Sequence, residues 1–435
     1  MTVRIGIRRE DKNEWETRVP VTPEDVGRLV KDGIEIWLQP SSIRVFPDEE
    51  YQNVGAVISE DLSSCPIILA VKEIPASFLE PEKTYFFFSH TIKGQVQNMP
   101  MLKRLMELNC QLIDYELVTD NEGRRLIFFG RHAGLAGMID TFWALGKRLE
   151  WEGIPNLFSE IKMAHEYTSL EDARSRIAEI ANRVHKEGLP PALSPLICGF
   201  AGYGNVSQGA QEIFDIFPHE QIAPSEIMGI SASSVNSRKK LFKVVFKEED
   251  MSEPIKPDGT FDLQDYYDNP QNFRSRFESY LQHLTVLVNC IYWDARYPRL
   301  VTFDYLKRAY STPHPPPLRV IGDISCDVEG AIQCTVKATD PGNPVYVYDP
   351  IDSKANDGWE GFGPVVMAVD NLPCELSKEA SGFFSNVLSP FITKLVKADY
   401  SVPFVNLDLP DELRGAVILH KGAFTPEFKS LSKYL

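Results

Sequence analysis

Lysine, histidine, glutamate and arginine recur in the first 125 residues just beyond short apolar runs, the places where an open α/β sheet gathers its ligands. The run 67–71 ends in Lys72-Glu73, and the run 84–89 ends in His90, with Lys93 and Gln95 close behind. The run 111–115 ends in Glu116. Arg8 and Arg9 follow the first run, Arg18 stands in the loop beyond it, and Arg124 and Arg125 precede a run at 126–129. A lone strand-end cation is ordinarily solvated scenery, but so many ionisable groups at adjacent strand ends exceed what solvation asks for. A lysine crowded by burial or by other cations titrates towards neutrality, and histidine does so already, which makes Lys72 and His90 the natural proton carriers. The guanidinium fork binds carboxylates bidentately, so paired arginines point to a substrate with more than one carboxylate.

A second constellation begins near residue 195. The apolar run 196–198 enters a loop holding Gly199, Gly202, Gly204 and Gly209, and Ala210, Ile213, Phe214 and Phe217 then recur at helical spacing. Strand, glycine-rich turn and helix form the arrangement in which bare backbone approaches a pyrophosphate at a helix N-terminus. The spacing departs from G-x-G-x-x-G, because Ser207 stands where the third glycine belongs and Gly209 follows two residues later. Together with a lysine, a histidine and arginine clamps, a dinucleotide fits hydride transfer to a C=N or C=O bond of a carboxylate-rich small molecule.

The elements that must position these groups alternate. A strand at 3–8 is followed by a helix that Thr22 caps and Pro23 opens, with Gly33 at its end. Strands follow at 34–38, 67–71, 84–89, 111–115 and 126–129, with a helix at 101–108; such alternation indicates a mostly parallel, doubly covered sheet. Residues 134–189 read as helices that bridge two domains. The nucleotide domain at 190–374 carries strands at 195–200, 285–291, 318–324, 345–348 and 365–369, interrupted by a polar insertion at about 231–280. A helix from 375 to about 396 returns to the first domain, so that 1–133 and about 375–435 form one body. The predicted fold is α/β, with two Rossmann-like doubly wound domains separated by a catalytic cleft.

Composition narrows the function. A net charge of −16 over 435 residues argues against nucleic acid or an anionic membrane as a partner. No apolar run approaches the roughly 20 residues needed to span a bilayer. Seven scattered cysteines without CxxC pairs read as buried thiols of a reducing compartment, and no His/Cys cluster has metal spacing. The N-terminus runs directly into a strand without signal character, so the expectation is a cytoplasmic protein without metal, acting on small molecules; a homo-oligomer is compatible with the sequence.

Several longer stretches carry a resemblance: RREDKNEWETRVPVTPEDV, VKEIP, FFFSHTIKGQ, DYELVTDNEGRR, GYGNVSQGAQEIF, VNCIYW, GDIS and DNLPCELSKEAS. Over nearly the whole chain, to about residue 400, it resembles the lysine–2-oxoglutarate reductase half of the aminoadipate-pathway enzyme. That family is related to fungal saccharopine dehydrogenase and more remotely to alanine dehydrogenase and transhydrogenase. The resemblance implies reductive condensation of L-lysine with 2-oxoglutarate, giving saccharopine at the expense of NADPH, with NADH left open. It implies catalytic roles for Lys72 and His90 and substrate-side roles for Arg18, Glu73, Lys93, Gln95, Glu116 and Arg125. Gly202, Gly204, Asn205 and Val206 match the family's nucleotide loop, and Asn289, Asp323 and Asp370-Asn371-Leu372 match segments lining the nicotinamide.

Two departures matter. In two-activity members a saccharopine dehydrogenase module follows, whereas this chain stops, so only the first activity is expected. The fungal dehydrogenases place an acid at the end of the second nucleotide-domain strand, where this chain has Ala223-Pro224-Ser225 with Glu226 slightly beyond. Losing that acid favours a 2′-phosphate, with Arg238, Lys239 and Lys240 as its partners, while Glu226 keeps NAD open. The alternatives are an NAD-dependent saccharopine or alanine-type amino-acid dehydrogenase, or a nucleotide-sensing protein without turnover.

Overall fold

The structure, a computed structural model, describes residues 4–231, 233 and 236–435. The chain divides into two compact units: residues 1–129 with 377–435, and residues 130–376. In the first unit, β1 (Arg4–Ile7), β2 (Glu35–Leu38), β3 (Val57–Ile58), β4 (Ile67–Leu69), β5 (Thr84–Phe87) and β6 (Gln111–Asp114) run parallel. Between β1 and β2, the Pro23–Lys31 helix has Thr22 as its N-cap and acids in its first turn. β4, β5 and β6 are buried along their whole length, as apolar runs in a doubly covered sheet must be. The stretch 126–129, predicted as a strand, is irregular; the chain there pairs only through an isolated bridge between Thr119 and Arg125.

In the second unit a 22-residue helix, Gly130–Trp151, and the Leu170–Glu187 helix supply much of the core on one face of the sheet. These are the helices expected to bridge; they lie within the second unit's own residues. The sheet is built from β7 (Ile197–Ala201), β8 (His219–Gln221) and β9 (Leu241–Phe246), and then, past a two-stranded excursion of β10 (Ser252–Pro254) and β11 (Phe273–Ser275), from β12 (Val286–Asn289) and β13 (Val320–Asp323). It closes with β14 (Val345–Asp349), β15 (Lys354–Asp357) and β16 (Val365–Met367). The order is β15-β14-β16-β13-β12-β7-β9-β8, with β14 antiparallel to both its neighbours, β15 and β16. Side chains alternate between faces: Cys198 and Phe200 join the core under the long helix, while Ile197 and Ala201 join the core opposite.

The predicted insertion at 231–280 is therefore only partly an insertion. β9 lies inside it and pairs with β7 at the centre of the sheet, Ile197 with Phe242 through Ala201 with Phe246. The apolar stretch LFKVVF escapes notice because it is short and flanked by RKK and KEED.

The Ser377–Leu395 helix belongs to the first unit and completes its core, as do β17 (Val417–His420) and β18 (Ala423–Phe424), which extend the sheet antiparallel beyond β6. Along that helix Ser377, Ser381 and Ser385 fall four residues apart and line one face. The Thr17 hydroxyl bonds Ser377 Oγ at 2.6 Å, and the Val19 and Thr22 N–H groups donate to Ser381 and Ser385 Oγ at 3.0 Å each. This ladder fixes the loop that carries Arg18.

Candidate functional site

In the first unit, the ends of β1, β4, β5 and β6 meet the residues singled out above. Lys72 follows β4, and its position is set by Glu10, whose carboxylate accepts from the Val71 N–H at 2.7 Å and the Lys72 N–H at 2.9 Å. His90 follows β5 with φ of 47°, a left-handed turn that a non-glycine residue adopts only where its surroundings hold it. Its carbonyl accepts from Asn98 Nδ2 at 3.1 Å, and its Nδ1 meets Glu73 Oε1 at 2.6 Å. The second Glu73 oxygen pairs with Lys12 at 3.4 Å.

Electrostatics follow from these contacts. Burial lowers the Lys72 pKa, Arg18 and Lys12 lower it further, and Glu16 and Glu73 oppose them. Burial alone raises the Glu73 pKa, but the hydrogen bond and charge of His90, with Lys12, outweigh it and hold the carboxyl at about 2. Glu10 is pushed the other way, to about 7, by burial and by the neighbouring Glu16 carboxylate. The cluster thus couples an ammonium disposed to lose its proton with an imidazole backed by a fixed carboxylate.

Arg18 sits differently from the expectation. Its Nε and Nη2 donate to the two Glu16 oxygens at 2.7 and 2.6 Å, the side chains of both are about 1% exposed or less, and the guanidinium lies 4.3 Å from the Phe129 ring centre. Its fork is engaged by Glu16. Arg125 is exposed and loosely paired, with Nη1 3.4 Å from Glu116 Oε1, so it is the arginine free to exchange partners. Glu116 is positioned by Asp114, whose Oδ1 accepts the Glu116 N–H at 2.8 Å while Oδ2 accepts both the N–H and the hydroxyl of Ser89. Lys93 and Gln95 share the turn after His90, the Lys93 N–H donating to Gln95 Oε1 at 3.2 Å. Sequence reasoning passed over Glu10, Glu16 and Asp114. The signal for Asp114 was an acid ending a fully buried strand, and for Glu16 an acid two residues from Arg18.

The second unit carries the glycine-rich turn at the carboxyl end of β7. Gly202 has φ of 93°, and a Cβ there would lie 3.0 Å from the Ile291 side chain. Gly204 opens the ten-residue Asn205–Phe214 helix, and no side chain caps its first turn. Gly209 accounts for the displaced third glycine. A Cβ on it would come within 2.1 Å of the Arg131 carbonyl oxygen, and one on Gly134 within 1.9 Å of the Val206 carbonyl, so two helices touch backbone to backbone. At the end of β12, Asn289 donates from Nδ2 to Asp323 Oδ1 at 2.8 Å, while its buried Oδ1 finds no protein partner among the described residues. Burial raises Asp323 to about 6 against its bonds to Thr335 and Asn289. Asp370-Asn371-Leu372 forms the turn after β16. An uncapped helix start, a left-handed glycine and an orphaned amide oxygen at adjacent strand ends fit a dinucleotide.

Arg238 does not join this end. It precedes β9, its Nε donates to the Leu189 carbonyl at 2.7 Å, and Lys240 pairs with Glu220. A strand of this length separates it by roughly 16 Å from the glycine turn. The strand order places β9, not β8, beside β7. Among the described residues, no group of three or more His, Cys, Asp and Glu is arranged to hold a metal ion, and no helix is long and apolar enough to cross a membrane.

Comparison with known proteins agrees with this geometry. Residues 6–136 match the family described as alanine dehydrogenase/PNT, N-terminal domain. The chain is 36% identical to alpha-aminoadipic semialdehyde synthase of Arabidopsis thaliana, over 99% of its own length and 41% of that protein. It is 34% identical to the Mus musculus protein of the same name, there called mitochondrial, over 99% of its length and 47% of that protein. The chain is a homologue of the alpha-aminoadipic semialdehyde synthases. It spans less than half the length of those curated relatives. Saccharopine dehydrogenase [NAD(+), L-lysine-forming] of Emericella nidulans is 26% identical over 90% of this chain and 92% of that one. Among solved structures, L-alanine dehydrogenase aligns over 99% of both chains with a TM-score of 0.63 and 17% identity. A transhydrogenase from Sinorhizobium meliloti aligns over 98% of this chain with a TM-score of 0.54 and 15% identity. These two likenesses show the fold: two Rossmann-like α/β domains, each with an eight-stranded sheet.

Proposed function

We propose that the chain condenses L-lysine with 2-oxoglutarate and reduces the product to saccharopine. The observation that carries this reading is the 2.6 Å bond between His90 and Glu73 beside Lys72, whose ammonium is disfavoured by burial and by Arg18. The ε-nitrogen of the substrate lysine adds to the keto carbon, and the proton it sheds passes to the neutral amine of Lys72. The resulting carbinolamine loses its hydroxyl as water, which takes a proton from His90, whose ring Glu73 orients through Nδ1. Arg125 and Lys93, both exposed, are the cations suited to the substrate carboxylates. A reduced nicotinamide, when bound, would supply the hydride, and addition of that hydride to the protonated imine left by dehydration balances to the secondary amine. The family resemblance favours NADPH as that cofactor. Seven unpaired thiols support a reducing compartment, the cytosol or its mitochondrial equivalent.

The test is the fall in nicotinamide absorbance on adding lysine and 2-oxoglutarate to the purified chain. Consumption that needs both substrates supports the proposal. Consumption with pyruvate and ammonia instead would assign an alanine-type dehydrogenase, and nucleotide binding without turnover on any amine and keto acid would assign a sensor.

A further inference from the structure

In the first unit β17 runs antiparallel to β6, and β18 antiparallel to β17. β18 therefore ends on the side of the sheet where β4, β5 and β6 present Lys72, His90 and Glu116. The chain then enters a run of helical turns, Pro426–Tyr434, which is tied down at its start. The Thr425 N–H donates to the Ile418 carbonyl at 3.1 Å and its hydroxyl to the Val417 carbonyl at 2.7 Å, while Phe428 and Leu431 pack against the core of the unit. The run carries Tyr434 to the turn after His90. A Cβ on Gly94 would lie 2.5 Å from Tyr434 Cδ1 and 2.6 Å from its Cγ and Cε1, so the ring rests on bare backbone and a side chain there would collide with it. Gly94 has φ of 68°, which favours glycine, and its N–H donates to the Thr91 carbonyl at 2.9 Å. The inner side of the same turn is held by Thr91, whose hydroxyl meets Ser89 Oγ at 2.7 Å. Tyr434 holds the outer side.

We propose that Tyr434 is a positioning residue whose ring clamps the turn 91–95 beside His90, so that the Pro426–Tyr434 segment sets the affinity of the site for the keto acid. The proposal rests on reading Lys93 and Gln95 as substrate-side groups, and it adds what supports them. Lys93 stands between Thr91, fixed by Ser89, and Gly94, covered by Tyr434. A cation on a turn already held in place gives up less freedom on meeting a carboxylate than one on a loose loop. The turn has little apolar anchorage of its own on its outer side, since the next side chain, Val96, is 82% exposed.

Steady-state kinetics at saturating lysine and nucleotide, with hydrogen–deuterium exchange beside it, tests this. Tyr434→Ala should raise the KM for 2-oxoglutarate about 10-fold, the scale of one charge-assisted contact, with kcat changed less than about 2-fold and the KM for nucleotide unaltered. In that variant the amides of 91–98 should exchange faster while those of β5 stay protected. Tyr434→Phe keeps the ring and should restore both readouts. Gly94→Ala should raise the same KM, and its added effect on Tyr434→Ala should be smaller than its effect alone, because the collision is gone. Lys429→Ala, on an exposed position of the same segment, should move neither readout. An unchanged KM in Tyr434→Ala, a loss spread equally over kcat and nucleotide affinity, or unchanged exchange at 91–98 overturns the proposal. If the unaltered chain does not turn over lysine and 2-oxoglutarate, the proposed reaction falls on its own, and exchange in Tyr434→Ala still upholds or overturns the clamp.

Discussion

At Lys72, burial and the Arg18 charge act in the same direction and Glu16 opposes them. If Lys72 takes the proton from the attacking amine, Lys72→Met should fold, bind nucleotide and lose roughly 10²–10⁴-fold in kcat. If it merely held the keto acid's carboxylate, saturating 2-oxoglutarate would restore the rate, and saturation kinetics separates the two outcomes. Arg18 is argued to act through Lys72 rather than on substrate, since Glu16 engages its fork. Arg18→Gln leaves a buried carboxylate without its cation, and unfolding by urea should show a loss of about 3–5 kcal/mol. In the same variant Lys72 loses a positive neighbour and gains an uncompensated negative one, so its pKa rises. The acidic limb of kcat, which reports the neutral amine, should therefore move to higher pH. Adding Glu16→Gln should return much of the stability. A rise in KM for 2-oxoglutarate without movement of the limb would give Arg18 back to the substrate.

The elements show why the chemistry was easier to read than its support. Strand-end residues announce themselves, because Lys72, His90 and Glu116 interrupt apolar runs at fixed places; the serines that hold the Arg18 loop lie more than 350 residues away and look like ordinary helix polar positions. β9 was hidden by its charged flanks, and with it the identity of the strand beside β7. The excess glycine was visible but its purpose was not, since Gly209 meets Gly130–Trp151, a helix assigned to a different role. The serine ladder can be tested within one helix. Ser381→Ala leaves the buried Val19 N–H unpaired and should cost about 1–3 kcal/mol. Ser389, whose buried hydroxyl has no partner among the described residues, serves as the comparison: Ser389→Ala removes an unpaired group and should be neutral or slightly stabilising. Equal losses in chemical unfolding of the two variants would deny the ladder its role.

Taken whole, the molecule carries an excess of carboxylates, yet several of them are kept from ionising by the fold. Burial raises Glu10 and Glu375 to about 7 and Asp114 and Asp323 to about 6, and lifts Asp140 well above its usual range. Asp140 and Glu375 face each other in the second unit, with the Ala164 N–H on Asp140 at 2.8 Å and the His165 ring on Glu375 at 3.2 Å, so one proton between the two carboxyls relieves their repulsion. Each of these groups binds a proton more tightly folded than unfolded. For Asp114 and Asp323 that stabilisation is complete below about pH 3.8 and is lost as the pH rises through about 6, for Glu10 and Glu375 it is complete below about pH 4.5 and is lost through about 7, and Asp140 acts in the same sense. Glu73, held at about 2, works in the opposite sense, but its contribution is lost only as the pH falls below the ordinary carboxylate range, outside that window. Between pH 5 and 7.5 the balance therefore favours the acid side, and the midpoint of thermal unfolding should fall as the pH rises. Glu375→Gln removes both its own titration and the charge that raises Asp140, so its unfolding midpoint should change less steeply over the same interval. Scanning calorimetry of the two proteins at matched ionic strength decides the point: parallel slopes would mean that the Asp140–Glu375 pair is solvated, and a midpoint rising with pH in the unaltered chain would mean that the buried carboxyls ionise freely.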